Sequence, residues 1–191
     1  MTWVNTSPLV KTYTLDEFWE LPESPDHSKL ELIAGILYMT PPPGYKHDNA
    51  VSNLNGLLSE YIKISGKPGK LYIPRAAIWT SPNTYLEPDL FYLSNETEAA
   101  LIDPNRRTTA DLVVEVISPG SAIYDRNTKA DTYAALGVKE LWLVDELMQI
   151  VEVRTLDSGR YENSEVYSND DQVESTVLKG FRFAVSEIFT A

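Results

Sequence analysis

The segment from Asp111 to Ser118 constrains the fold more than any other part of the sequence. It runs Asp-Leu-Val-Val-Glu-Val-Ile-Ser, with one acid inside a nearly continuous apolar stretch. Such a stretch is typical of a strand at the centre of a sheet, where both faces are covered. Burying an ionised carboxylate costs several kcal/mol unless the carboxylate is paired, hydrogen-bonded or bound to a metal. The sequence therefore predicts that Glu115 belongs to a buried polar site.

A second segment, Leu86–Leu93, also carries acids among apolar residues. If it is one strand, Glu87, Asp89 and Phe91 share a face, because side chains alternate along a strand. If the two strands are neighbours, Asp89 and Glu115 can converge on one cation. Carboxylate oxygens are the ligands that magnesium and manganese prefer. The spacing alone does not decide for a metal site, because many folds place single acids near strand ends.

Composition narrows the class of protein. The chain has 191 residues, of which 43% are hydrophobic and 23% charged, and this predicts one globular domain over residues 1–191. It contains no cysteine, which excludes disulfides, thiolate metal sites and cysteine nucleophiles. The net charge of −12 argues against broad nonspecific binding of nucleic acid. It leaves open a local basic patch, or metal ions that screen an acidic pocket.

The sequence also bears on location. The first residues lack the basic segment and apolar run of a signal peptide, and no apolar stretch is long enough to span a bilayer. We therefore expect a cytoplasmic protein with no membrane partner. The absence of cysteine fits a reducing compartment.

Patterning along the chain predicts alternating helices and strands. A capping box of Thr14 and Glu17 begins a short helix, and Ala34-Gly35 turns a hairpin. The clearest helix covers Lys46 to Ile64, with His47 on its apolar face. The other predicted elements are strands at Leu71–Ile73, Ala76–Trp79, Leu141–Val144, Gln149–Arg154, Tyr161–Tyr167 and Val177–Phe183, and a helix over Ile123–Leu136. This order favours an α/β domain with a mixed sheet flanked by helices.

The predicted helix after the acidic strand carries Arg126, Lys129 and Tyr133 at positions i, i+3 and i+7. Residues at this spacing form one stripe on an α-helix. A lysine that projects from the stripe toward the sheet could orient a water molecule or stabilise a negatively charged transition state.

Taken together, the motifs resemble a known family. They are Glu87–Leu90, Ala110–Pro119, Tyr124–Ala134 and Gly137–Asp145, with Leu30–Gly35 and His47 upstream. In this order they resemble the Uma-two family of restriction-endonuclease-like proteins, which belongs to the PD-(D/E)XK nuclease superfamily. The resemblance covers nearly the whole chain. It implies a restriction-endonuclease-like fold, with a central mixed sheet flanked by helices and peripheral hairpins.

The resemblance also implies roles for individual residues. Asp89 and Glu115 correspond to the two acids that bind magnesium or manganese, and Lys129 to the catalytic lysine. Glu31 corresponds to an additional acid near the site, and His47 and Tyr133 to residues that line the pocket. We add Arg126, from the helical stripe, as a candidate for substrate contact. The implied activity is metal-dependent cleavage of nucleic acid, expected to be DNA, and a homodimer is expected because two-fold dimers are common.

One departure from the superfamily concerns its lysine, which usually lies two residues after the second acid. That position is Ile117 here, and the family resemblance moves the lysine to Lys129 on the helix. An isoleucine at this position also suits a catalytically inactive nuclease fold that acts as a binding or assembly module, which is the alternative function.

Structural interpretations remain open beside the functional ones. Glu115 could form an internal ion pair with Lys129, and Lys129 could form an exposed helical pair with Asp125. His47 could be a partly buried, hydrogen-bonded histidine, and Arg126 could pair with a local acid. Asp89 could hold a turn. Further interpretations without a functional role are a solvent-facing Glu31 and a Tyr133 that only packs.

Other catalytic classes are not supported by the sequence. It has no glycine-rich phosphate loop with its lysine and no dinucleotide fingerprint. Its two histidines are too few for an ordinary multi-histidine zinc site.

Overall fold

The computed structural model describes residues 10–66, 68–103, 105–118 and 124–190, and this part of the chain forms twelve strands and four α-helices. The strands are β1 (Lys29–Ile33), β2 (Ile36–Thr40), β3 (Gly69–Tyr72), β4 (Ile78–Thr80), β5 (Thr84–Leu86), β6 (Leu90–Ser94), β7 (Leu112–Ile117), β8 (Glu140–Asp145), β9 (Ile150–Asp157), β10 (Arg160–Ser168), β11 (Gln172–Glu174) and β12 (Arg182–Ala184). The α-helices are α1 (Leu15–Trp19), α2 (Tyr45–Ser65), α3 (Asn95–Ala99) and α4 (Ala130–Ala135), with a π-helical turn at Asp125–Lys129 and a 3₁₀ turn at Val185–Glu187.

A six-stranded mixed sheet forms the centre, in the order β10-β9-β8-β7-β6-β3. β7 pairs in parallel with β8 and antiparallel with β6, and all six of its residues are buried. The apolar run around Glu115 is therefore a central strand, as its composition predicts. A second sheet of four strands has the order β2-β1-β5-β4, and β11 pairs with β12.

The two faces of β7 pack against different elements. Val114 and Val116 belong to one core with α2, which contributes Leu54 and Leu58. The opposite face belongs to a second core, shared with α4 and the four-stranded sheet, whose members include Val113, Ile117, Tyr133, Ile33 and Ile78. Because side chains alternate along a strand, Glu115 lies on this second face.

Several local predictions are confirmed. Thr14 and Glu17 form the capping box of α1. Ala34 and Gly35 turn the β1–β2 hairpin with φ angles of 49° and 83°, the left-handed pair that a two-residue turn requires. The predicted long helix is α2, and it ends at Gly66, which has a φ of 62°. None of the helices that the structure describes could cross a membrane, because none combines sufficient length with sufficient apolar character.

The prediction of one strand over Leu86–Leu93 is wrong. β5 ends at Leu86 in the four-stranded sheet, and β6 begins at Leu90 in the six-stranded sheet. The three residues between them cross from one sheet to the other. Pro88 has no N–H to donate to a ladder, and the N–H of Glu87 is bound by a side chain, at 2.9 Å from Glu31 Oε1.

Two further boundaries differ from the predictions. The predicted helix over Ile123–Leu136 is a π-helical turn followed by α4, and its first residue lies outside the described residues, as do Pro119–Ser121 of the predicted loop. Of the predicted strand Val177–Phe183, only the end lies in β12. Leu178 and Phe181 are apolar because they fill the core beneath α2 rather than because they belong to a strand.

Candidate active site

The pairing of β6 with β7 brings the two predicted acids together. The antiparallel register joins Leu90 to Val114, so the next position along each chain sets Asp89 opposite Glu115. Asp89 fixes itself to β7 because its Oδ2 accepts a hydrogen bond from the N–H of Val116 at 2.8 Å. Residues directly opposite in an antiparallel pair are close neighbours. The two acids thus meet although Asp89 precedes β6 rather than lying within it.

Both acids line one cavity of about 490 Å³. Lys129, His47 and Asp125 also line it, so it collects side chains from α2, the β6–β7 pair and the π-helical turn. Asp89 is 8% exposed, and Glu115 and Lys129 are each 2% exposed. The acids and the lysine therefore form the floor of the cavity rather than its rim.

Lys129 is held by three carboxylates. Its Nζ lies 3.0 Å from Glu115 Oε1, 3.0 Å from Glu31 Oε2 and 3.3 Å from Asp125 Oδ1. Burial alone would lower the pKa of Lys129, but the charges of Glu115 and Glu31 raise it well above its ordinary value. The lysine stays charged at neutral pH, and the cluster of one cation and three carboxylates has an excess of negative charge.

The pKa of Glu115 is shifted upward in this buried cluster. Burial raises its pKa to about 7, although Lys129 acts in the opposite direction. Tyr133 donates its hydroxyl proton to Glu115 Oε1 at 2.6 Å. Burial and the charge of Glu115 raise the pKa of Tyr133 well above its ordinary value, so the tyrosine remains a donor. Tyr133 and Lys129 both bind Oε1, which fixes the orientation of the carboxylate.

Asp89 has a different partner. His47 Nε2 lies 3.2 Å from Asp89 Oδ2. Burial alone would raise the pKa of Asp89, but the hydrogen bond and charge of His47 lower it. Burial would lower the pKa of His47, and Asp89 raises it overall. The N-terminal turn of α2 therefore supplies a histidine that favours the ionised form of Asp89.

Glu31 supports the site from β1. It is fully buried, so the interpretation of a solvent-facing Glu31 is wrong. Its Oε1 accepts the N–H of Glu87 and lies 3.8 Å from Lys29 Nζ, while its Oε2 faces Lys129. Glu31 thereby ties the crossing segment before Asp89 to the lysine.

Arg126 lies away from the cavity. Its guanidinium pairs with Asp145 at 3.1 Å and with Glu152, so the local ion pair is what the structure contains. The prediction that Arg126 and Lys129 share a stripe is wrong because the turn is π-helical. Residues i and i+3 share a face at 3.6 residues per turn, and the i→i+5 bonding of a π-helix lengthens that period.

Asp125 is the member of the cluster that the sequence did not assign to the site. The spacing to Lys129 is visible in the sequence, but it suggests an exposed helical pair. Both side chains are instead buried, at 3.3 Å. The signal that could have found it is the hydrophobic setting of the turn, since Ala130 and Tyr133 follow it into the core.

The donor set limits how a metal could bind. Among the residues that the structure describes, no three His, Asp or Glu side chains are grouped to hold an ion. Two carboxylates are available, and each has an oxygen that accepts no hydrogen bond from a described residue, namely Asp89 Oδ1 and Glu115 Oε2. Magnesium commonly binds one or two carboxylates and completes its octahedron with water and substrate phosphate. The two acids fit such a site.

A comparison with protein families decides the relationship. The Uma2 family, described as "Putative restriction endonuclease", matches residues 15–186. The chain belongs to the Uma2 family. No curated protein matches it significantly. The resemblance found in the sequence is therefore confirmed.

A solved structure agrees with the fold of this chain. The Uma2 chain is similar to a protein of Anabaena variabilis ATCC 29413 described as a "putative nuclease belonging to DUF820", with a TM-score of 0.73, 20% identity, and coverage of 93% of this chain and 97% of the other. The type IIG restriction endonuclease BpuSI is more distant, with a TM-score of 0.41 and 15% identity over 77% of this chain and 16% of the enzyme. The first match confirms the predicted restriction-endonuclease-like fold.

Proposed function

We propose that this Uma2 protein is a metal-dependent endonuclease that hydrolyses phosphodiester bonds in DNA. The observation that carries the proposal is the position of Asp89 opposite Glu115 on the floor of one cavity, with Lys129 Nζ 3.0 Å from Glu115. Membership of a family of restriction-endonuclease-like proteins supports it.

Asp89 and Glu115 would hold magnesium or manganese through Asp89 Oδ1 and Glu115 Oε2, the oxygens that no described residue binds. Such an ion, when bound, supplies Lewis acidity that activates water and neutralises a phosphate. His47 keeps Asp89 ionised, and Tyr133 keeps Glu115 oriented. The cavity floor therefore offers two oriented hard oxygen donors.

Lys129 acts as a charge rather than as a base. Its raised pKa leaves it protonated, so it cannot accept a proton from water at neutral pH. Its positive charge can stabilise the negative charge that develops on the phosphoryl oxygens. Glu31 and Asp125 hold the ammonium from other sides, which limits its movement.

A second candidate is a catalytically inactive nuclease fold that serves as a binding or assembly module. Two observations favour it: Lys129 already neutralises part of the acidic cluster, and Ile117 is a core residue at the position of the superfamily lysine. In this alternative the lysine takes the place of the metal ion. A homodimer, a cytoplasmic location and a single domain over residues 1–191 remain predictions under either function.

The test is cleavage of supercoiled plasmid with manganese or magnesium by the wild type, Asp89→Asn and Glu115→Gln. Asp111→Asn is the matched control, because Asp111 is a buried acid at the start of the same strand but lies outside the cavity. Thermal unfolding confirms that each variant is folded.

We expect cleavage by the wild type and by folded Asp111→Asn. We expect the cleavage rate of each of the two site variants to fall by more than roughly 100-fold. A fall of roughly 100-fold is the upper end of what is seen when a residue that only supports a metal ligand is mutated. Cleavage that survives in both site variants, or no cleavage by the wild type with either metal, would contradict the proposal.

A further inference from the structure

We propose that the cavity receives an unpaired nucleotide, so that the substrate is single-stranded or locally unpaired DNA rather than intact duplex. This inference rests on the proposed function and names the substrate class of the same site. Three features of the cavity support it: the acids are deeply buried, the side chains at the mouth are mainly apolar, and the Lys and Arg side chains that line the cavity already have partners.

The reacting phosphate would have to reach a buried floor. Glu115 and Lys129 are each only 2% exposed, beneath walls from the β2–α2 connection and the β3–β4 connection. The cavity, at about 490 Å³, falls within the roughly 300–1,000 Å³ of pockets that enclose a small ligand. A single nucleotide can enter such a space, whereas a base-paired strand is held on the surface of its duplex. Enzymes that do chemistry on a base inside such a pocket take single strands or extrude the nucleotide, and we extend this requirement to a phosphate that must reach the floor of this cavity.

The mouth is lined mainly by apolar side chains, and Arg75 is the exposed arginine beside them. Pro41, Pro42 and Pro43 are exposed on one side, and Ile73, 57% exposed, stands with Pro74 on the other. Proline has no N–H, so these prolines cannot bind phosphate through the backbone, which is how many proteins hold a duplex. Apolar side chains instead suit the flat faces of unstacked bases.

The lysine and arginine side chains at the cavity each have a partner, although Arg75 is 72% exposed. Those that line it within the described residues are Lys29, Arg75 and Lys129. Lys129 is held by three carboxylates, Lys29 donates to the carbonyl of Glu87 at 2.9 Å, and Arg75 lies 3.5 Å from the Glu87 carboxylate. Duplex binding depends on many phosphate contacts from Lys and Arg, while single strands gain part of their affinity from stacking. Among the described Lys and Arg side chains that line the cavity, Arg75 alone is largely exposed, which is few for duplex binding through phosphates and favours single strands.

The test compares one labelled oligonucleotide as a single strand, as a full duplex and as a duplex with a central unpaired stretch. Both cleavage with manganese and binding, by fluorescence anisotropy, are measured for the wild type, Ile73→Ser and Ile64→Ser. Ile64 is the matched control because it is 76% exposed near the end of α2 and does not line the cavity.

We expect the single strand and the unpaired stretch to be bound and cut about tenfold better than the duplex, with cuts inside the unpaired region. Ile73→Ser should weaken single-strand binding several-fold, and Ile64→Ser should leave it unchanged. Equal or better cutting of the duplex, or equal effects of the two variants, would overturn the inference. If nothing is cut but single strands still bind in preference and depend on Ile73, the proposed function fails while the cavity keeps its specificity. Absence of both cutting and preferential binding overturns both.

Discussion

Carboxylates are buried at both ends of β7 and β8, but the two ends differ in how many of the carboxylate oxygens accept hydrogen bonds. At the start of the strands, Asp111 accepts from Ser94, Thr97 and Lys139, and Glu140 accepts from Trp142, Thr176 and Val177, so that all four carboxylate oxygens are bound. Toward the other end, Glu115 and Asp89 each present an oxygen that no described residue binds. We call Asp111 and Glu140 the saturated acids, and Asp89 and Glu115 the cavity acids.

The comparison teaches that burial alone does not identify a functional acid. Both sets are nearly inaccessible to solvent. The saturated acids have enough donors to stabilise the ionised form. Of the cavity acids, Glu115 shares Lys129 with Glu31 and Asp125, whereas Asp89 is paired with His47. Burial raises the pKa of Glu115 to about 7, and Lys129 does not offset this effect.

The largest expected difference in stability is between the variant that removes the lysine beside Glu115 and the variant that removes the lysine beside Asp111. Lys129→Met leaves three buried carboxylates without their ammonium, and we expect the free energy of unfolding to fall by about 3–5 kcal/mol. Lys139→Met removes the cation of Asp111, but Lys139 is 59% exposed, so the loss should be about 0–1 kcal/mol. Urea unfolding at neutral pH measures both.

The Lys129→Met variant should recover part of its stability at lower pH, because protonation relieves repulsion among the remaining carboxylates. Similar losses for the two variants would break the distinction between the two sets.

The next effect separates the acids themselves. Glu140→Gln replaces a carboxylate oxygen with an amide NH₂ that faces donors, and we expect a loss of about 1.5–3 kcal/mol. Glu115→Gln should leave the metal-free protein within about 1 kcal/mol of wild type or stabilise it, because it relieves repulsion with Asp89 while Lys129 keeps two other partners. Denaturant unfolding in the presence of a chelator provides the comparison, and a larger loss for Glu115→Gln would point to a purely structural network.

The pH dependence of stability should differ in sign between Glu115, a cavity acid, and Asp111, a saturated acid. The folded protein holds the Glu115 proton more tightly than the unfolded chain, since its pKa is about 7 instead of 4.5. This contribution to stability is complete below about pH 4.5 and is lost as the pH rises to about 7, by about 2 kcal/mol between pH 5 and 7. Glu115→Gln should abolish that loss.

Asp111 provides the opposite case. Burial alone would raise its pKa, but hydrogen bonds from Lys139 and Ser94 lower it below the ordinary value of 3.8. Its contribution is therefore present above about pH 4 and is lost as the pH falls through its folded pKa. The difference in free energy of unfolding between Asp111→Asn and wild type should stay constant between pH 5 and 7. A difference that changes with pH in that range would contradict this assignment.

Much of the fold follows from local sequence patterns. The apolar run at Leu112–Ile117, the repeat in Tyr45–Ser65 and the turn at Ala34-Gly35 each satisfy one local rule, and each element forms where it is predicted. Elements that depend on long-range packing were not predictable. Whether Pro88 lies within a strand or between two sheets depends on Glu31, which is distant in sequence.

The same distinction holds for the site. From the sequence, Asp89 and Glu115 could be paired only on the condition that their two segments are neighbours, and the β6–β7 pairing of the structure meets that condition. The direction of Arg126 and the burial of Asp125 depend on a π-helical turn, and no simple sequence rule predicts such a turn. The roles assigned to Asp89, Glu115, Lys129, Glu31, His47 and Tyr133 stay predictions until they are measured.

Calorimetric titration with manganese tests the central claim most directly, namely that the cavity acids are arranged for a divalent ion and the saturated acids are not. The wild type and Glu140→Gln should bind one ion per chain in the low-millimolar range or tighter, and Asp89→Asn and Glu115→Gln should bind at least tenfold more weakly. No binding by the wild type, or undiminished binding by Glu115→Gln, would contradict the account.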